Sequence, residues 1–278
     1  MSAQIITEKQ NLQYLNWDKI RNSSGTAGSF LKSYEQIGKK KIYYKLSDYN
    51  SVSGIIGHEN VNEIIVDRLL DILNIEHLHY KLILADIFLD GRTQTTYVCA
   101  SENFRTVDET KIALDAYYQV EKDEQETPLQ FCIRNGWEKY IWDMLVVDFL
   151  ILNRDRHGAN IEVLRNSKDK TIRLAPLFDH GISLLFSCKS DFSNIDKIDV
   201  LEDKQVQCFV GSRSAYENLK LIPPAELPEI SPLSQNNLGY IFSDIDKILP
   251  PNTIKKIAEM LTKRVDYYVD FCNQRKQK

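Results

Sequence analysis

The chain has 278 residues, 43% of them hydrophobic, and a formal charge of −4 from 35 basic and 39 acidic side chains. That length and apolar content suit one large domain or two lobes sharing a cleft, and the charge balance excludes a global positive field that would recruit nucleic acid. Five scattered cysteines without CxxC or metal-ligand spacing, a start (MSAQIITEKQ) without signal-peptide pattern, and a longest apolar run (MLVVDFLIL) broken by Asp148 and far short of the ~20 residues of a membrane span point to a cytoplasmic protein with reduced thiols and no membrane partner.

Residues 20–46 read as a strand, a small-residue turn, a second strand, a basic turn and a third strand, the last being the aromatic and β-branched KKKIYYKL. The next segment, GHENVNEIIVDRLLDIL, carries Val61, Ile64, Ile65, Leu69, Ile72 and Leu73 at helical spacing, which predicts an amphipathic helix. Residues 78–100 predict a hairpin turning at Asp90–Gly91. Beyond about residue 105 helical patterns dominate, over 127–152 and 252–273, and 190–250 is expected to be a helical tail beside the acceptor groove. The fold class expected is α+β: a β-rich lobe over 1–105 with one key helix, and a larger helical lobe over 106–278.

The apolar helix ending near Leu152 runs straight into Asn153, Arg154, Asp155, Arg156 and His157, followed by Asn160. A strand-like pair, IEVLRN and TIRLAPL, then closes on FDHG with Asp179. Asp, Asn five positions later, and Asp after a short hairpin is the layout that phosphoryl transfer requires. One carboxylate orients the attacking hydroxyl and takes its proton, while an amide oxygen and a second carboxylate hold Mg²⁺. The D-x-x-x-x-N spacing matches a protein-kinase catalytic loop. The loop taken alone discriminates weakly, because Asp, Asn and Gly are ordinary turn formers. Arg154 and Arg156 read as phosphate partners or as solvated surface residues, and His157 as a brace for the loop backbone.

A matching half lies upstream. Lys45 ends a predicted strand, placed to reach ATP phosphates, and the following helix offers Glu63 as its partner, with Glu59 one turn earlier as the competitor. Before them, SSGTAGSFLK supplies Gly25 and Gly28 among hydroxyl residues, a turn whose backbone N–H groups can approach phosphate oxygens. Lys32 flanks it.

In this order SSGTAGSFLK, YYKLS, GHENVNEIIVDRLLDILNIEHLHYKL, ILNRDRHGAN and LAPLFDHG resemble the HipA-like serine/threonine protein kinases over residues 20–185, and FVGSRSAYENL (209–219) has the same flavour. The similarity is to compact members without the extra N-terminal subdomain. It implies a bacterial, bilobal kinase that uses ATP and Mg²⁺ to phosphorylate serine or threonine on a protein. Asp155 would be the catalytic carboxylate and Lys45 the phosphate-binding lysine, with Asn160 and Asp179 as metal ligands. The resemblance further implies nucleotide contacts from Gly25, Thr26, Gly28, Ser29, Glu63 and His157, and a hinge around Val98, Ala100 and Glu102. It implies autophosphorylation in the glycine turn, with Ser24 the candidate, and an antitoxin-like regulator as a partner. The alternatives are a lipid or small-molecule kinase of the same fold and a nucleotide-sensing pseudokinase.

Overall fold

The structure is a computed structural model and describes residues 4–18, 30–188 and 191–277. Its first part runs β1 (Ile5–Asn11), β2 (Lys32–Ile37), β3 (Lys40–Lys45), a small hairpin of β4 (Tyr49–Asn50) and β5 (Gly54–Ile55), α1 (Glu59–Leu73), β6 (Tyr80–Leu89) and β7 (Arg92–Glu102). The remainder runs β8 (Glu109–Ala113), α2 (Leu114–Glu121), α3 (Pro128–Arg134), α4 (Glu138–Leu150), β9 (Asp155–Arg156), β10 (Glu162–Asn166), β11 (Ile172–Leu174), β12 (Gln207–Cys208), α5 (Ala215–Lys220), α6 (Gln235–Ile241) and α7 (Pro251–Lys276).

The first sheet has the order β1-β6-β7-β3-β2. Its central hairpin turns where expected, with Asp90 (φ 50°) and Gly91 (φ 75°) both in the left-handed region that a tight two-residue hairpin turn demands. β1 lies parallel to β6, Ile5 opposite Leu82; no sequence signal marks this strand, whose burial alternates poorly. The expected strand and glycine turn upstream of β2, including Ser24, Gly25, Thr26, Gly28 and Ser29, lie outside the described residues. One apolar cluster sits within this part, Leu12, Leu46, Ile87, Val98 and Ala100 among its members.

Helix α1 confirms its apolar stripe but is not one-sided. Glu59, Asn60, Asn62, Glu63, Asp67 and Arg68 are buried alongside Ile64, Ile65 and Leu69. Buried polar groups must find partners, and these reach in opposite directions. The Asn60 amide donates to the carbonyls of Lys45 (3.0 Å) and Tyr97 (3.1 Å) in the sheet. The Asn62 amide donates to those of Gly181 and Ser183, both at 3.0 Å. The Arg68 guanidinium donates to Ile241 (2.9 Å) and Ser243 (2.7 Å) at the end of α6. The helix is thereby bolted to the sheet on one side and to the helical part on the other.

The pattern over 127–152 resolves into two helices. Thr127 and Gln130 cap each other, Pro128 occupies the first turn, and Gly136 (φ 72°) breaks the run before α4. α4 is buried through Met144–Leu150, a stretch apolar except for Asp148, as a helix segment in the centre of a core must be. It ends where Leu152 adopts φ 51° and the Asn153 N–H returns to the Asp148 carbonyl. Among the described residues, the helical tail expected over 190–250 is instead mostly irregular, holding α5, α6, the short strand β12 and short 3-10 turns. Pro223, Pro224, Pro228 and Pro232 interrupt it, each removing a backbone donor. α7 exceeds its expected span and buries Ile257, Met260, Leu261, Val265 and Tyr268 in the main core. Among the described residues, no helix is long and apolar enough to cross a membrane.

Candidate active site

A cleft of about 560 Å³ opens beneath the five-stranded sheet. Its walls include Lys32, Tyr44, Lys45, Cys99 and Ser101 from the sheet, Glu63 from α1, and Ala159, Glu162, Phe178 and Asp179 from beyond β9. That volume lies within the range of small-molecule and cofactor sites.

Lys45 is the last residue of β3, and its side chain leaves the sheet toward α1. Its Nζ stands 2.9 Å from Glu63 Oε1 and 2.6 Å from Asp179 Oδ1, with both carboxylates largely shielded from water. Burial disfavours the ammonium, but the Asp179 and Glu63 charges outweigh it and hold the lysine pKa above its ordinary value. The open choice between Glu59 and Glu63 is decided by position. Glu59 Oε2 accepts the Asp48 N–H at 3.1 Å, while Glu63 Oε2 accepts that of His180 at 2.9 Å. Gly181 explains the close packing there: a Cβ would stand 3.1 Å from Glu59 Cβ and 3.3 Å from Glu63 Oε1. Burial pushes His180 well below the ordinary imidazole value, so the ring is neutral and serves as packing.

Asp179 itself has φ 60°, a conformation that costs a non-glycine residue and needs support from its surroundings. Tyr80, first residue of β6, supplies it: the buried phenol oxygen accepts the Asp179 N–H at 3.1 Å. Asp155 and Asn160, on the loop after α4, are not part of the cleft lining; there the Asn160 amide donates to the Asp155 carbonyl (2.7 Å) and to its Oδ2 (3.3 Å). The Asp155 N–H is taken by Asn153 Oδ1 at 3.1 Å. His157 Nε2 lies 3.6 Å from Asp155 Oδ1, beyond ordinary hydrogen-bond length.

Arg156 joins the two halves, and here the sequence reading needs correction. It is neither a phosphate partner nor a surface residue but is fully buried. Its guanidinium grips Asp148 of α4 through Nε to Oδ2 and Nη2 to Oδ1, both 2.9 Å. Nη1 donates to the Asn160 carbonyl (3.2 Å) and the Phe178 carbonyl (3.0 Å). One side chain thus fixes the D-x-x-x-x-N loop against the segment that carries Asp179. A second brace comes from the 207–218 region. β12 pairs in parallel with β9, and the Phe209 N–H donates to the Arg156 carbonyl at 2.9 Å.

No family model matches the chain. Sixty-five residues align at 40% identity with the serine/threonine-protein kinase CtkA of Helicobacter pylori, a stretch covering 22% of this chain and 20% of that protein. The crystal structure of a H. pylori proinflammatory kinase CtkA superposes at TM-score 0.61, covering 96% of this chain and 99% of that one at 15% identity. The chain has a bilobal α+β kinase fold, that of the CtkA structure. The HipA toxin of Shewanella oneidensis, solved with HipB and operator DNA, matches at TM-score 0.45 and 13% identity over 94% of this chain and 68% of that one; the fold assignment rests on the CtkA structure.

Of the residues named for the expected hinge, Glu102 lines the cleft and Val98 and Ala100 do not. Val98 and Ala100 point into the apolar cluster of the sheet. Val98 is paired with Ile83, and Ala100 with Lys81 on one edge and Tyr44 on the other. Their backbones therefore belong to ladders rather than to the cleft. Cys99, Ser101 and Glu102 of the same segment line the cleft, followed by Asn103 and Phe104, where β7 runs out. The Glu102 carboxylate also meets Lys40 at 2.8 Å on the surface. Tyr80, Asp148 and Arg156 are the residues that sequence reasoning undervalued. The available signal was Asp148 itself, a charge inside the apolar run MLVVDFLIL with an arginine eight residues later.

Proposed function

We propose that the chain is a serine/threonine protein kinase that transfers the γ-phosphoryl group of ATP, with Mg²⁺, to a hydroxyl on a protein. The observation that carries this reading is the Lys45 ammonium held between Glu63 and Asp179 at the wall of the cleft. An ammonium on a long flexible stem keeps one position only when it is partnered, and this position suits the phosphates of a nucleotide.

The donor set fits Mg²⁺. Asp179 offers a carboxylate and Asn160 an amide oxygen, the hard ligands that this ion prefers, and the Asn160 hydrogen bonds to Asp155 set the orientation of that amide. When bound, the ion would screen the charge spreading over the phosphate oxygens. Asp155 would accept a hydrogen bond from the acceptor hydroxyl and take its proton as the hydroxyl oxygen bonds to the γ-phosphorus. The bond from that phosphorus to the β-bridging oxygen breaks as it does so, and ADP leaves. Arg156 and Asp148 hold the loop in register from beneath, so that the carboxylate stays within the narrow tolerance transfer requires. The acceptor as a protein hydroxyl, autophosphorylation at Ser24 and an antitoxin-like regulator are supported by the sequence resemblance alone.

Incubation with γ-labelled ATP and Mg²⁺ tests the reading. Label should enter a protein, and Asp155→Asn should slow transfer by roughly 10²–10⁴-fold, the usual worth of a positioned acid or base. A melting temperature raised by ATP-Mg²⁺ without any transfer to protein, lipid or small molecule would mark a nucleotide-sensing module and overturn the kinase assignment.

A further inference from the structure

One and two turns along α1 from Glu63, outside the cleft lining, four side chains converge. Asp67 and Asp71 are one helical turn apart and share a face, while His77 and His79 alternate to one side of the extended segment entering β6. One donor atom from each lies within 4.8 Å of all the others. His77 Nε2 stands 3.1 Å from Asp67 Oδ1 and 3.8 Å from Asp71 Oδ1. His79 Nδ1 stands 3.3 Å and 3.9 Å from the same two oxygens. A tetrahedral zinc site with bonds of about 2.0 Å has donor–donor edges of roughly 3.3 Å, so these four spacings already approximate its edges.

The atoms not facing the centre are held from outside. His77 Nδ1 lies 2.7 Å from the Ile75 carbonyl, so it carries the proton and donates it there. This fixes Nε2 as the nitrogen turned toward the carboxylates. Asp67 Oδ2 accepts the Tyr80 N–H at 2.6 Å, and Asp71 Oδ2 accepts the Tyr240 hydroxyl of α6 at 2.8 Å. Three of the four side chains are thus oriented by an outer hydrogen bond, with Oδ1, Oδ1 and Nε2 directed inward. A backbone carbonyl on the far nitrogen of a histidine is the usual support for a metal-ligating imidazole.

We propose that Asp67, Asp71, His77 and His79 bind a divalent transition-metal ion, with zinc the ion that this mixed imidazole and carboxylate set favours. The site is separate from the nucleotide cleft and does not rest on the kinase reading. Asp67 and His77 are buried, whereas Asp71 and His79 face solvent and leave the ion a way in. Its place gives it a structural consequence. Glu63 precedes Asp67 by one turn, Tyr80 follows His79, and the Leu78 N–H donates to the Leu177 carbonyl at 2.8 Å, two residues before Asp179. An ion here would clamp the end of α1 to the entry of β6 beside the segments that hold Lys45 and Asp179 in position.

The full chain, stripped with a chelator, can be titrated with Zn²⁺ against a chromophoric zinc indicator and, separately, with Co²⁺. The expected result is one tight equivalent of zinc and the intense visible spectrum of four-coordinate cobalt, neither displaced by excess Mg²⁺. His79→Ala and Asp71→Asn alter exposed side chains, leave the fold intact by circular dichroism, and together should weaken zinc binding at least about a hundredfold, since even outer partners are worth 10–100-fold. Asp179→Asn should leave the zinc equivalent unchanged. No zinc uptake by wild type would mean that the four residues form an ion-pair cluster only. That result, undiminished binding in the double variant, or loss of binding in Asp179→Asn would each overturn the proposal.

Discussion

Arg156 and Asp148 form a buried, two-pronged ion pair between the loop carrying Asp155 and the helix beneath it. Burying either charge without the other is costly, so Arg156→Met should destabilise the chain by about 3–5 kcal/mol in urea unfolding. Replacing both partners by apolar residues, Asp148→Leu with Arg156→Met, should recover much of that loss. Phosphoryl transfer should not recover, because the Asn160 and Phe178 carbonyls still lack their shared donor. Full activity in the double variant would show that the guanidinium does not position the loop.

Gly158 sits between His157 and Asn160 because there is no space for a side chain. A Cβ there would stand 2.5 Å from Asp115 Cβ and 3.0 Å from the Asp115 backbone nitrogen. Gly158→Ala must therefore move either the loop or the start of α2, at a cost of about 1–3 kcal/mol. The melting temperature should fall and transfer should drop further than stability alone explains. An unchanged melting temperature would refute the close approach.

Tyr80→Phe removes the acceptor for the Asp179 N–H and nothing else in the cleft wall. Leaving that group without its partner should cost about 1–3 kcal/mol. Asp179 also holds an unfavourable φ of 60°, so its carboxylate should lose its fixed position. The thermal shift produced by ATP-Mg²⁺ should shrink relative to wild type. Calorimetric titration with the nucleotide gives the same comparison at constant temperature.

Glu109 supplies a pH-dependent contribution beyond the cleft-edge residues 102–104. Burial opposes its ionisation, but the Arg173 fork (Nε to Oε1, 2.8 Å) and the Thr106 N–H (2.8 Å) outweigh that and hold its pKa below the ordinary value. For a depressed acid the stabilisation is complete above the unfolded-state pKa, about 4.3, and disappears as pH falls through the folded-state value. Wild type should exceed Glu109→Gln by about 0.5–1 kcal/mol at neutral pH, a figure kept small because Arg173 is 43% exposed. Urea midpoints measured from neutral pH into acid should converge. Divergence in acid would reverse the sign and refute the assignment.

Local chemistry made much of this protein legible from its residues. Helical spacing identifies α1, paired turn residues identify the β6–β7 hairpin, and the order of Lys45, Glu63, Asp155, Asn160 and Asp179 suggests the proposed chemistry, because each depends on neighbours within a few positions or on a short motif. Spacing could not choose between Glu59 and Glu63, which share a helix face; the choice came from where Asp48 and His180 present their N–H groups. Nor could it show that Arg156 turns inward, that β1 adds to the sheet edge, or that Asp71 meets Tyr240 across 169 positions. Those outcomes depend on long-range packing, in which a buried polar group takes whatever partner the assembled core brings near. The type of side chain is written in the sequence, whereas its partner is set only when distant segments close around it.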